Sequence, residues 1–281
     1  MLRDKIEEYC GKNELAWGVT DAEPFLEIAE ALGQCAEDLS GFVCSDLEKR
    51  IYPRKIMENA KSIIVIAKSY NKKISIKQDG KIRCKIALGS FGEDYHRYMK
   101  RHLEELKEIL SEENPEADFL CYVDTGPLDD RAAAKRAGLG AFGKNGMLIT
   151  EKYGSAVNIG YIITSLEIPV DKPFVRDLCK GCKRCIEACP HGALREDGYD
   201  FRKCISYISQ KKGDLDDRER RFWETPSMAA TSACGPAFIT INIWERSRIL
   251  TRCTPRRRVS LLFQTNSSRL NTEIRESAGG G

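Results

Sequence analysis

The chain has 281 residues, 42% of them hydrophobic and 31% charged, with a formal net charge of +3. That length allows one large domain or two ordinary ones around a sizeable core, and no apolar run approaches the roughly 18 residues that a bilayer span requires, so no membrane partner is expected. A net charge this small identifies no nucleic-acid partner by itself, and 12 cysteines behind a charged, helix-like N-terminus predict a reducing, cytoplasmic compartment.

In chain order, residues 3–10 and about 22–32 read as helices. In the second, Phe25, Ile28, Ala29 and Leu32 share a face, Asp21 serves as N-cap and Gly33 as stop. A helix-like Arg54–Asn59 leads into Ser62–Ala67, a continuous β-branched run that suits a strand covered on both faces of a sheet. The polar, lysine-rich residues 71–82 read as an exposed loop or hairpin. A helix from about Phe91 to Ser111 carries a core-facing stripe at Tyr95, Tyr98, Met99, Leu103, Leu106 and Leu110. His96 and His102 on it are expected to be surface or hydrogen-bonded residues rather than ligands.

Phe119–Val123 is expected to be a second buried strand, ending at Asp124-Thr125-Gly126-Pro127 and so placing an acid at a strand's carboxyl end. Asp124 is either a functional acid there or a cap for the helix predicted over Arg131–Ala137. Four glycines between Gly138 and Gly146 let backbone approach a ligand closely, in neither of the common phosphate-binding patterns. Met147–Thr150 and Ala156–Thr164 read as two further strands. Alternating strands and helices before residue 170 give a mixed α/β domain, and Pro169 and Pro173 mark a linker out of it.

Cys179, Cys182, Cys185 and Cys189-Pro190 form the run C-x2-C-x2-C-x3-C-P of bacterial ferredoxins. A tight loop lets three thiolates converge on one cubane while the next helical turn carries the fourth sulfur to another. Zinc is the competing reading, since C-x2-C also suits it, but zinc sites rarely use a third cysteine at this gap followed by Cys-Pro. Cys204, in Lys203-Cys204-Ile205-Ser206-Tyr207, is a fifth candidate ligand.

These pieces together resemble the cobalamin-dependent epoxyqueuosine reductases. The matching segments are Asn59–Ile64, Gly92–His96, Val123–Gly126, Ala137–Gly140 with Lys144-Asn145, the cysteine run and Lys203–Tyr207, in the family's order. The resemblance implies a cobalamin-binding α/β domain over 1–170 and a ferredoxin-like module with 4Fe-4S clusters over 171–221. It also implies reduction of the epoxide of epoxyqueuosine to the alkene of queuosine at the tRNA wobble position, driven by an external low-potential electron donor. Asp124 matches the family's proton donor, and Lys144, Asn145 and Ser206 are implied to line the cofactor or substrate site. Leu88 and Phe91 depart from the arginine and tryptophan of many members. That departure keeps open a related corrinoid and iron–sulfur reductase with a non-tRNA substrate; a ferredoxin-type electron carrier is a further alternative.

The family also has a second motif resembling Gly-Cys-Asp-x-Cys-x3-Cys-Pro soon after the fifth cysteine. Here only Cys234 and Cys253 follow, at no ligand spacing, so 171–221 is expected to be incomplete and 222–281 an aberrant tail without regular structure. Back-translation offers a reason. Read one nucleotide earlier, the codons of Phe222-Trp223-Glu224 force Leu-Gly and those of Met228-Ala229 force Gly. The junctions between and after them permit Leu-Gly-Asp-Ala-Ile-Tyr-Gly-Cys-Asp-Ile-Cys. The hypothesis is a one-nucleotide deletion near Asp217–Arg221; resequenced DNA with an intact frame and this same tail would overturn it. Arg256-Arg257-Arg258 is then an accident of frame rather than a nucleic-acid patch.

Overall fold

The computed structural model describes residues 2–30, 32, 46–70, 83–87, 93–210, 213–214, 216–219 and 238–242. Its centre is β2 (Ser62–Ser69), the strand expected from the apolar run. It pairs with β1 (Ala16–Asp21) on one side and β7 (Val157–Thr164) on the other, and β4 (Phe119–Val123) closes the sheet in the order β1-β2-β7-β4. All these pairings are antiparallel.

Both faces of the sheet are covered, and the side-chain period of two decides which residue goes where. Ile64 and Ile66 join Met99, Leu103, Leu106 and Leu110 of α3 (Tyr95–Ser111) and Ile6 of α1 (Leu2–Lys12) in one buried cluster. Ile63 and Val65 face the other way, onto Ala132, Ala133 and Ala134 of α4 (Asp130–Arg136) and onto Tyr161. A strand covered twice needs apolar residues at every position, hence the unbroken run. Each fully buried aliphatic side chain contributes about 1.5–3 kcal/mol of transfer free energy.

β4 differs from expectation. It is the edge strand, and only Val123 is buried while Phe119–Tyr122 are half-exposed, because β7 is its single neighbour in the sheet. β1 is an addition to the predicted elements. Its Gly18 lies so close to α4 that a Cβ there would sit 2.0 Å from the carbonyl oxygen of Ala137. The helix expected over 22–32 begins as a 3-10 turn at Leu26–Ile28 after Phe25. Asp21 ends β1 instead of capping that turn, its carboxylate accepting from the Glu23 N–H at 3.1 Å. The helix-like 54–59 is a 3-10 turn at Pro53–Lys55, preceded by the short α2 (Leu47–Ile51).

The linker is tied down: Asp171 accepts from the Val19 N–H and from Arg3, each at 2.8 Å. Beyond it the cysteine module consists of short pieces: α5 (Arg184–Glu187), a hairpin of β8 (Leu194–Arg195) and β9 (Gly198–Tyr199), and α6 (Ile205–Gln210). β3 (Arg83–Ala87) pairs antiparallel with β10 (Phe238–Asn242). β10 falls within the stretch 222–281 that was expected to lack regular structure. Gly33, the 71–82 loop, Leu88, Phe91 and Arg256–Arg258 lie outside the described residues. Among the described residues no helix is long and apolar enough to cross a membrane.

Candidate functional site

Asp124 stands at the turn that leaves β4. The Thr125 N–H donates to the Val123 carbonyl at 2.6 Å, so the chain reverses around Asp124, which takes φ +54. A non-glycine residue there is strained, at a cost on the order of 1–3 kcal/mol, and such strain is held at sites that need it. The reversal aims the carboxylate at α3. The Tyr95 hydroxyl donates to Asp124 Oδ2 at 2.8 Å, and His96 Nε2 lies 3.3 Å from the same oxygen. Nδ1 of His96 lies 2.8 Å from Asp94 Oδ1, and Asp94 caps α3 through the His96 N–H. Burial raises the Tyr95 hydroxyl pKa well above the ordinary tyrosine range, with the Asp124 carboxylate adding to it.

Asp124 does not cap α4. That task falls to Asp129, whose Oδ1 accepts from the Ala132 N–H at 3.0 Å and whose Oδ2 pairs with Arg50 at 2.9 Å. Next to it, burial pushes the Asp130 carboxyl up to about 6, with the Asp129 charge adding to the rise. Asp124 is exposed, with 53% of its side-chain surface accessible, so a large substrate can reach it.

Lys144 and Asn145 occupy the turn between β5 (Gly140–Phe142) and β6 (Leu148–Thr150). Gly143 N–H donates to Met147 O at 2.8 Å, Gly146 N–H to Gly143 O at 2.9 Å, and Met147 N–H to Asn145 Oδ1 at 3.1 Å. Arg131 of α4 anchors the turn through the Gly146 carbonyl at 2.8 Å. The outward-facing Lys144 N–H donates to Cys179 Sγ at 3.5 Å. Ser206 lies in the first turn of α6, two residues after Cys204.

The five cysteines are free thiols in two groups. Burial raises the Cys185 thiol, and the neighbouring sulfurs of Cys179 and Cys182 push the same way. Tyr199 is raised by burial and by its hydrogen bond to Cys204, and it feels Cys189 as well. The backbone between Cys179 and Cys182 turns through left-handed conformations at Lys180 (φ 41) and Gly181 (φ 79). Among the described residues no three His, Cys, Asp or Glu side chains gather as for a single ion. A cubane does not ask for that, because it takes each cysteine at a different iron. The donor set, all thiols at ferredoxin spacing with an N–H donor on one sulfur, fits an iron–sulfur cluster.

The structure therefore joins Asp124 to Tyr95 and His96, and Lys144 to Cys179. Tyr95 and His96 are hydrogen-bonding partners of Asp124 that the sequence pattern alone assigns to the core-facing stripe and to the surface. Their adjacency to the acid crosses 28 residues and two elements, and the only local signal was the Asp94-Tyr95-His96 segment itself. A cavity of about 580 Å3 lined by Lys135, Phe142, Phe174 and Arg176 contains none of the predicted site residues.

Residues 50–125 match the family model "Epoxyqueuosine reductase QueG, DUF1730", and residues 178–235 match "4Fe-4S double cluster binding domain". The chain is 40% identical over 209 residues to the epoxyqueuosine reductase of Bacillus cereus, covering 72% of this chain and 55% of that one. It thus spans about half the length of the curated relatives it matches. The solved epoxyqueuosine reductase of Streptococcus thermophilus superposes with a TM-score of 0.73 at 31% identity, over 87% of this chain and 68% of that one. An epoxyqueuosine reductase solved with an epoxyqueuosine-modified tRNA-Tyr stem loop superposes with a TM-score of 0.69 at 34% identity, over 78% of this chain and 61% of that one. The chain belongs to the epoxyqueuosine reductase family.

Proposed function

We propose that the site at Asp124 reduces the epoxide of epoxyqueuosine in tRNA to the alkene of queuosine, in the cytoplasm. The observation that carries this reading is the strained turn at Asp124, which holds a carboxyl group against Tyr95 and His96 on an open surface. Deoxygenating an epoxide takes two electrons and two protons and releases water, so the departing oxygen must be protonated twice. Asp124 is the group placed to hand over a proton. His96, bridging Asp124 and Asp94, is placed to restore it from solvent, and Tyr95 fixes the carboxylate's orientation.

An external low-potential donor would supply the electrons, and the thiolates of Cys179, Cys182, Cys185, Cys189 and Cys204 would hold the iron–sulfur group that carries them. Cobalamin is the second cofactor in this reading, supplying a two-electron reductant at a single centre. Lys144, Asn145 and Ser206 are the residues that would hold it. The bare backbone of Gly146, at φ +72 with nothing within 4 Å of where a Cβ would stand, gives such a group room to approach the turn. A carrier of ferredoxin type would have no use for an aimed aspartate.

Two cubanes require eight thiolates, and the ferredoxin run with Cys204 supplies five. At least one cluster therefore lacks part of its thiolate set in this chain as written, in keeping with a frame break near Asp217–Arg221. The test is nucleoside analysis of epoxyqueuosine-bearing tRNA after incubation with reductant. It compares two proteins reconstituted with iron, sulfide and cobalamin: the chain as written, and the chain with one nucleotide restored. Conversion by the restored form and little by the chain as written is expected. A restored form that is fully loaded with both cofactors and still leaves the epoxide intact would contradict the assignment.

A further inference from the structure

We infer that the backbone amide of Lys144 is a redox-tuning donor to the cluster ligand Cys179, and that Asn145 is the positioning residue that keeps it there. The inference rests on the cysteine loop holding a cluster. It adds a link through which the sheet domain sets that cluster's potential.

The sulfur acceptor and the N–H donor belong to segments 35 residues apart, yet both are fixed. On the donor side, the Gly143–Met147 turn is closed by two backbone hydrogen bonds and by the Asn145 side chain, and Arg131 pins it to α4. On the acceptor side, the Cys179 N–H is held by Asp177 Oδ1 at 2.8 Å, and the Cys182 N–H returns to the Cys179 carbonyl at 2.7 Å. The 3.5 Å contact between Lys144 N and Cys179 Sγ therefore joins two ordered loops, one from each module. An N–H pointing at a thiolate draws electron density from the sulfur and favours the reduced, more negative cluster, which raises its potential. The donor is main chain, so its position depends on the turn's shape rather than on the lysine side chain. The Lys144 ammonium acts separately: Glu196 of the cysteine module is lowered mainly by its hydrogen bond and charge pairing with Lys183, and Lys144 adds the smallest part.

The experiment is an EPR-monitored redox titration of the full chain reconstituted with iron and sulfide, with iron per chain measured alongside. Lys144→Pro deletes the N–H, Asn145→Ala releases the turn, and Lys144→Ala removes the charge but keeps the N–H. The expected result is a lower midpoint potential in Lys144→Pro, a smaller drop in Asn145→Ala, and a Lys144→Ala value close to the parent. If Lys144→Pro fails to load iron, Asn145→Ala decides. An unchanged potential in the loaded variants overturns the inference and leaves the cluster assignment standing, as does a Lys144→Ala shift as large as that of Lys144→Pro. A parent chain that takes up no cluster overturns both.

Discussion

The sheet domain and the cysteine module use the same residue type for opposite ends. In the sheet domain, Cys10 and Cys121 are packing residues; burial pushes both thiols up to about 12, out of reach of thiolate chemistry. In the module, four thiols sit within eleven consecutive residues of one loop, partly open to solvent. The supporting structure differs in the same sense. The sheet is sealed on both faces by two buried clusters, whereas the buried hydrophobic residues among the module's described residues are Ala193, Leu194, Ile205 and Ile208. One region is held by its core and presents a site. The other has little core among its described residues and is expected to gain stability from the group it binds, as small metal-binding modules do.

The contrast can be broken first at the site. Asp124→Asn keeps the shape of the side chain but removes the transferable proton. In the frame-restored form it should lower the rate of epoxide loss by roughly 100- to 10,000-fold with folding intact, read by nucleoside analysis and thermal melting. A loss of stability matching the loss of rate would make Asp124 structural.

Next comes the sheet domain's buried pair. Arg50→Ala takes from the Asp129 carboxylate its nearest cation and leaves it Arg131 at 3.7 Å and the Ala132 N–H, so about 1.5–3 kcal/mol should be lost in denaturant unfolding. Leu103→Ala, in the α3 stripe, should cost about 2–5 kcal/mol by the same measurement. Neither should change the iron bound by the module. A parallel loss of iron would mean that the two regions fold as one.

The smallest effect is set by pH. Asp130 is raised from the ordinary carboxylate value to about 6, so the folded chain binds more protons than the unfolded chain between about pH 4 and 6. Stability should fall as pH rises through that window. Asp130→Asn should flatten the fall and gain at most about 3 kcal/mol at neutral pH, the worth of the shift at about 1.4 kcal/mol per pKa unit. A variant with the parent's pH profile would remove Asp130 from the account.

The parts written in local pattern were legible in the sequence. The run at 62–67 and the stripe from Met99 to Leu110 became the sheet's centre and its covering helix, because burial on two faces and on one face leave different periods. The cysteine spacing carried the module for the same reason. What escaped was long-range. β1 holds a glycine and an aspartate that weaken any strand pattern, and its place follows from a close approach to Ala137 that only the fold creates. The meeting of Asp124 with Tyr95 and His96 depends on an antiparallel order that no single segment encodes. So does the contact between the Lys144 turn and Cys179.

The claim that everything else depends on is that Cys179, Cys182 and Cys185 gather on a cubane beside the sheet domain. Its most direct test is anaerobic reconstitution of the chain as written with iron and sulfide, with zinc offered in competition, followed by metal analysis and the visible and EPR spectra. The account predicts a brown protein with about four irons and matching sulfide per chain, short of the eight of two cubanes, and loss of the signal in Cys182→Ser. A colourless protein that takes up zinc in preference, or a chain carrying eight irons with this tail, would contradict it.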